Sequence, residues 1–171
     1  MEQVEENMKK LEKAMGLNFG DEKNPLLVSV RSGAAISMPG MMDTILNLGL
    51  NDKTVIGLIN KTGNKRFGMD SYRRFIQMFG DVVMEIEHSK FEDAIQKLKD
   101  KKNVKFDTEL TAEDLEELVS IYKKIVEKEK GMSFPQDPME QLKMAINAVF
   151  SSWNNKRAIT YRNLNNIPHN L

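Results

Sequence analysis

Chemistry in this sequence starts at Arg31. A short apolar run, Leu26-Leu27-Val28-Ser29-Val30, delivers it, and Ser32-Gly33-Ala34-Ala35-Ile36-Ser37-Met38-Pro39-Gly40 follows. A guanidinium presents a planar fork of N–H donors that matches phosphate oxygens. Loops leaving the ends of strands are where α/β folds place phosphate groups. Gly33, Ala34, Ala35, Ser37 and Gly40 leave the backbone unobstructed, so its N–H groups can approach an anion closely. Residues 41–48 read as the opening of a helix. The 40–44 junction would then aim a helix N-terminus at the same anion, with Asp43 and Thr44 as polar groups beside it. The pattern is not a P-loop, because no Gly-Lys-Ser/Thr follows. Two readings stay open on these residues: an anion-binding loop, or a structural turn carrying an exposed arginine. Met38, Met41 and Met42 likewise either wall a base or pack the loop onto the core.

The rest of the chain reads as scaffold. Val4, Met8, Leu11 and Met15 share one helical face over 2–16, and Gly16, Gly20 and Asn24-Pro25 end it. Residues 26–30 form the clearest strand, read as buried, with no convincing second strand to pair it. Helical spacing then dominates. It runs through Val55, Leu58 and Ile59, then Tyr72, Phe75, Ile76, Phe79, Val82 and Val83, then Phe91, Ala94, Ile95 and Leu98. Leu115, Leu118, Val119, Tyr122, Ile125 and Val126 continue it, behind the capping-box variant Thr111-Ala112-Glu113-Asp114. Asp137-Pro138-Met139-Glu140 starts another helix, whose apolar stripe is Leu142, Ala145, Ile146, Val149, Phe150 and Trp153. A short helix over 155–164 presents Arg157 and Arg162. Both are read as surface ion-pair braces of the Trp153 helix in preference to phosphate ligands.

Composition narrows the function. The 171 residues are a one-domain length, and the absence of Cys excludes disulfides, thiolate metal sites and cysteine nucleophiles. Lys+Arg and Asp+Glu are equal at 25, which argues against a nucleic-acid partner held by overall positive charge. No apolar run reaches the length of a membrane span, so no membrane partner is expected. Glu85, Glu87 and His88 have a spacing that fits no dedicated metal site. The stripe over 115–126 admits a different class of function, a non-catalytic helical interaction module, although core packing explains the same stripe.

Longer motifs make the sequence recognisable. Leu26 through Ala35, continuing as Ser37-Met38-Pro39-Gly40-Met41-Met42-Asp43-Thr44-Ile45-Leu46-Asn47-Leu48-Gly49, closely resembles a signature stretch of the pyruvate, phosphate dikinase family. Asp70-Ser71-Tyr72-Arg73-Arg74-Phe75-Ile76-Gln77-Met78-Phe79-Gly80-Asp81 resembles the family's helical insert. Phe134-Pro135-Gln136-Asp137-Pro138, Ser152-Trp153-Asn154-Asn155-Lys156-Arg157-Ala158 and Tyr161-Arg162-Asn163-Leu164 resemble its return segment.

The resemblance implies an α+β, mostly helical fold: a partial ATP-grasp-like nucleotide-binding domain with a helical insert. Residues 1–51 would be the first part of the nucleotide lobe, 52–136 the insert, and 137–171 the return. The family converts ATP, pyruvate and phosphate to AMP, phosphoenolpyruvate and pyrophosphate through a phosphohistidine, with Mg²⁺. By position, Arg31 matches the arginine that contacts ATP phosphates and stabilises charge during transfer. Gly40, Met42, Asp43 and Thr44 match the loop against the nucleotide. The implied partners are ATP or AMP, phosphate and the remaining domains of a cytoplasmic, homodimeric parent. The family's phosphate-contacting lysine, acidic Mg²⁺ ligands, phosphohistidine domain and pyruvate barrel have no counterpart here, and His88 and His169 do not match the phosphohistidine. The expectation is a slice of a larger enzyme, or one chain of a split phosphotransferase, with no turnover alone.

Overall fold

Apolar residues recur along most of the chain at helical spacing, and the structure is mostly helical. It is a computed structural model describing residues 1–170; Leu171, the last residue of the expected return segment, lies outside them. Helix α1 (Glu2–Met15) ends on Gly16 in the left-handed conformation. Strand β1 (Asn18–Phe19) pairs in parallel with β2 (Pro25–Leu26), and β3 (Val28–Arg31) pairs antiparallel with β4 (Thr44–Leu48).

Two expectations are corrected here. The run over 26–30 is not one buried strand. It divides at Leu27 because its halves have different partners: β2 is buried, whereas β3 alternates between half-buried and exposed. The segment 41–48 is not a helix, so no helix N-terminus points at the loop; 44–48 is the missing second strand. The register explains the misreading. Val28 faces Leu48 and Val30 faces Ile45, so the step on β4 is one residue longer than on β3, with Asn47 at φ 59°. Such a bulge stretches a strand's i, i+2 repeat to i, i+3, which in sequence looks like a helix face.

The remaining elements are helical: α2 (Thr54–Thr62), α3 (Lys65–Met78), a π turn (Phe79–Val83), α4 (His88–Lys102), a 3₁₀ turn (Asp107–Glu109), α5 (Ala112–Lys130), α6 (Pro138–Ser152) and α7 (Lys156–Leu164). Their starts follow local chemistry. The Asn64 side chain accepts from Phe67 N at 2.9 Å. Thr111 Oγ1 accepts from Asp114 N at 3.2 Å while Asp114 Oδ2 accepts from Thr111 N at 3.0 Å. Asp137 accepts from Met139 N at 2.7 Å and Glu140 N at 3.0 Å, with Pro138 in the first turn.

One core joins these helices to β4. Tyr72, Phe75 and Phe79 pack edge-on around Phe134, and Phe91 meets Tyr122 edge-to-face with centroids 5.0 Å apart. Leu115, Leu118, Val119, Tyr122 and Val126 are all buried in it, so most of the α5 stripe is core; Ile125, half-buried, lines the groove between α4 and α5. Each such side chain contributes about 1.5–3 kcal/mol by leaving water.

The chain crosses itself where it leaves β4 and returns before α6. Gln141 is fully buried there. Its Oε1 accepts from Gly49 N at 3.0 Å, and its Nε2 donates to Leu50 O at 2.9 Å and Pro135 O at 2.8 Å. Asn51 Nδ2 donates to Gln136 O at 2.9 Å, and Thr54 Oγ1 donates to Gly49 O at 2.7 Å. Gly49 has φ 103°, and a Cβ there would lie 2.9 Å from the Phe19 ring and 3.0 Å from Leu26 O, so no larger residue fits the crossing. Tyr72, whose phenol is pushed up by burial and so stays a donor, donates to Asp52 at 2.8 Å, and Lys123 pairs with the same carboxylate at 2.8 Å.

Gln141→Leu orphans one N–H and two carbonyls at this crossing and should cost about 2–4 kcal/mol in urea unfolding. The Lys102 ammonium and the Thr111 N–H hold the Asp114 carboxyl down at about 2. A depressed carboxylate stabilises the fold above its ordinary value of about 3.9 and loses that contribution as pH falls toward the folded value. Asp114→Asn should therefore be less stable than the native chain at pH 6, with the gap in urea midpoint closing between pH ~4 and 2.

Candidate functional site

Strand β3 ends on Arg31, which pairs in register with Thr44 at the start of β4. Residues 32–43 thus leave and return between these two positions as one wide hairpin loop. Within it Ser32 Oγ accepts from Ala34 N at 3.2 Å, and Met41 N donates to Met38 O at 3.1 Å across a turn with Gly40 at φ 73°. Met38 is buried and lines the loop recess, while Met42 is half-buried, packs against the core and lines both openings. Packing and walling are therefore not alternatives at Met42: it does both.

Arg31 is exposed. Of the six arginines, Arg66 donates to the Leu110 and Asp107 carbonyls, Arg73 and Arg74 pair with Asp70, Arg157 pairs with Asp43, and Arg162 donates to Trp153 O. Arg31 alone has no hydrogen-bond or ion-pair partner among the described residues. Two openings meet at it. One, of about 330 Å³, lies in the loop and is lined by Arg31, Ser37, Gly40, Met42 and Thr44. The other, of about 600 Å³, has Arg31 and Met42 on one side and Ile146, Val149, Phe150 and Trp153 of the α6 region on the other. The first is a polar recess under a cation; the second is an apolar slot.

The α6 stripe is thus only half core. Leu142, Ala145 and Val149 are buried, but Phe150 is 73% exposed, and Ile146 and Trp153 are half-buried against the slot. The stripe is wider than the face that packs, and the excess lines the opening. Sequence alone gave no signal that separates these residues from core.

Arg31, Gly40, Met42 and Thr44 come together, whereas Asp43 does not join them. Its carboxylate pairs with the Arg157 guanidinium and accepts from Asn155 Nδ2 at 3.3 Å, and its N–H donates to Ser152 Oγ at 3.1 Å. Ser152 and Asn155 carried no sequence signal for this role. Arg157 is a brace, but of the loop and not of the Trp153 helix. Arg162 does brace Trp153, from inside and without an ion pair: it is 1% exposed, donates to Trp153 O at 2.6 Å, and lies 4.1 Å from the indole centroid. Its Nε donates to His169 Nδ1 at 2.8 Å, which leaves His169 Nε2 to donate to Asn163 Oδ1 at 2.9 Å.

No group of three or more His, Asp or Glu among the described residues is placed to hold a metal ion. His88 lies 3.0 Å from Asp81 and 3.5 Å from Glu92, on the exposed far side of the helical region. Among the described residues no helix is long and apolar enough to cross a membrane. A separate groove of about 560 Å³ between α4 and α5 is spanned by the Lys90–Glu129 and Lys101–Glu117 ion pairs.

A mostly helical α+β body that offers a free arginine between a polar recess and an apolar slot has the form of a nucleotide-binding domain. Residues 1–171 match the family described as pyruvate phosphate dikinase, AMP/ATP-binding domain, and the chain belongs to that family. It is 61% identical over 170 residues to a pyruvate, phosphate dikinase of Giardia intestinalis, covering 99% of this chain and 19% of that relative. It is 60% identical over 166 residues to the chloroplastic enzyme of Mesembryanthemum crystallinum, covering 97% of this chain and 17% of the relative. Against the Clostridium symbiosum enzyme the identity is 58% over 168 residues, covering 98% of this chain and 19% of the relative. The chain therefore spans less than a fifth of the length of these curated relatives.

Trp153 is the only tryptophan, so the slot has its own reporter. Arg162→Met removes the cation over its ring and leaves Trp153 O unpaired. We expect a red-shifted emission and a loss of about 1–3 kcal/mol in thermal unfolding followed by that signal.

Proposed function

We propose that this domain binds ATP at Arg31, with the phosphates in the loop recess and the base in the apolar slot. The observation that carries the reading is Arg31 itself: the one arginine with no protein partner among the described residues stands where the two openings meet. Arg31 supplies the forked donor, Gly40 keeps the backbone open to an anion, Thr44 adds a hydroxyl opposite Arg31, and Met42 with Trp153 and Ile146 walls the base. Asp43 belongs to the same loop and serves it from behind.

Within a longer chain, the domain would serve as the ATP-binding part of a pyruvate, phosphate dikinase. That enzyme would convert ATP, pyruvate and phosphate to AMP, phosphoenolpyruvate and pyrophosphate through a phosphohistidine carried elsewhere. Arg31 would bind the phosphates in the ground state and offset the charge that spreads over the transferring group in a loose transition state. Residues 1–51 and 137–171 would form the partial ATP-grasp-like lobe, and 52–136 the insert that supports it. The described residues do not form a Mg²⁺ site, and no step is assigned to the ion. Family resemblance supports a homodimeric enzyme working with ATP, AMP and phosphate.

Titration of the full-length protein, followed by isothermal calorimetry, tests the assignment. Arg31→Ala should weaken ATP binding about tenfold or more and leave adenosine binding unchanged. Equal ATP affinity in the variant and the native protein would show that Arg31 does not meet the phosphates.

A further inference from the structure

Asp43 sits one residue from Thr44, and Thr44 sets the register of Arg31. Whatever fixes Asp43 therefore fixes the end of the hairpin on which Arg31 is presented. Three groups do so, all from the α6–α7 corner. Ser152 Oγ accepts from Asp43 N at 3.1 Å and itself donates to Val149 O at 2.6 Å. Asn155 Nδ2 donates to one carboxylate oxygen at 3.3 Å, and Arg157 Nη2 pairs with the other. Arg157 Nε also donates to Met41 O at 3.0 Å, so one guanidinium grips the side chain and the backbone of the same loop. The same corner carries Trp153, a wall of the apolar slot. Asp43 does not line the polar recess that holds Arg31, Gly40, Met42 and Thr44.

We propose that Asp43 is a positioning residue and not a nucleotide ligand: with Ser152, Asn155 and Arg157 it latches the 32–43 loop to the α6–α7 corner. The latch joins the wall of the slot to the loop of the recess and so sets the distance between base and phosphate subsites. An unlatched loop would keep the Met42 packing but would hold its backbone N–H groups and Arg31 in no single arrangement, at a cost to phosphate binding through lost preorganisation. The consequence for ATP rests on the nucleotide reading above; the latch itself does not.

The experiment has one arm without nucleotide and one with it, both on the intact protein. In hydrogen exchange without nucleotide, Asp43→Asn and Arg157→Gln should each speed exchange of the hydrogen-bonded loop amides of Ala34, Met41 and residue 43 about tenfold, with α3 and α5 unchanged. The double variant should be no faster than Arg157→Gln alone, because that change already removes the Asp43 pair together with the Met41 contact. Arg157→Lys, at a half-exposed position that cannot unfold the core, keeps the charge and should recover part of the protection. In the second arm, both single variants should lose ATP affinity, Arg157→Gln at least as much as Asp43→Asn, with adenosine affinity unchanged and Arg157→Lys partly rescued. A merely structural role would not give a loss confined to phosphate-bearing ligands. Unchanged loop exchange in the variants would overturn the latch. So would an ATP loss in Asp43→Asn that Arg157→Gln does not share, which would make Asp43 a ligand. If the native protein bound no ATP, the nucleotide reading would fall while the exchange arm still decided the latch.

Discussion

Gln141 is a buried amide at the point where the chain crosses itself, and the rest of the molecule hangs on its three hydrogen bonds. It joins the residues just after β4 to the residue just before α6, positions more than eighty residues apart in sequence. Everything between them, α2 to α5, is an excursion whose ends are pinned together by one side chain and supported by Asn51, Thr54 and Gln136. An amide suits the task because it offers a donor pair and an acceptor, and the local backbone has two unpaired carbonyls and one unpaired N–H. The helical excursion can thus be large without loosening the strand pair it interrupts. It also fixes α6 against β4, which is what places Ile146, Phe150 and Trp153 opposite the Arg31 loop.

The site is built on that frame with two kinds of material. The recess is loop, held at its closing pair by β3 and β4 and at its far side by the Asp43 latch. The slot is helix, with apolar side chains that the core leaves uncovered. A loop can bring several backbone N–H groups to one anion, which a helix interior cannot, because its own ladder uses them. A helix face gives a rigid apolar wall, which a loop does not. Arg31 is the last residue of a strand, between the two materials, and its guanidinium, without a partner among the described residues, contrasts with five other arginines that are all engaged.

Much of this was legible in the sequence, for identifiable reasons. The α5 and α6 starts carried their caps in plain sight at Thr111/Asp114 and Asp137-Pro138, and the helical repeats of Phe75, Phe91 and Leu115 marked the core faces correctly. The strand at 44–48 was hidden because its bulge at Asn47 imitates helical spacing. The stripe on α6 is legible as an apolar face, but periodicity reports which face is apolar, not how much of it is covered; Phe150 shows the difference. Arg31 was found from its place at the end of an apolar run, but its lack of a partner needed coordinates. Asp43 was assigned by motif position, and only the fold reveals that its carboxylate is turned to Arg157. Long-range polar pairs such as Asp43–Arg157 leave no local pattern to read.

The central claim is that the recess and slot at Arg31 are one nucleotide site. Amide and indole chemical shifts of the ¹⁵N-labelled protein, compared between adenosine and ATP, test it most directly. Both ligands should move the Trp153 indole and the amides of Met42 and 146–150, and only ATP should also move 31–41, Asp43 and Thr44. Shifts confined to the α4–α5 groove, or none near Arg31 with either ligand, would contradict it.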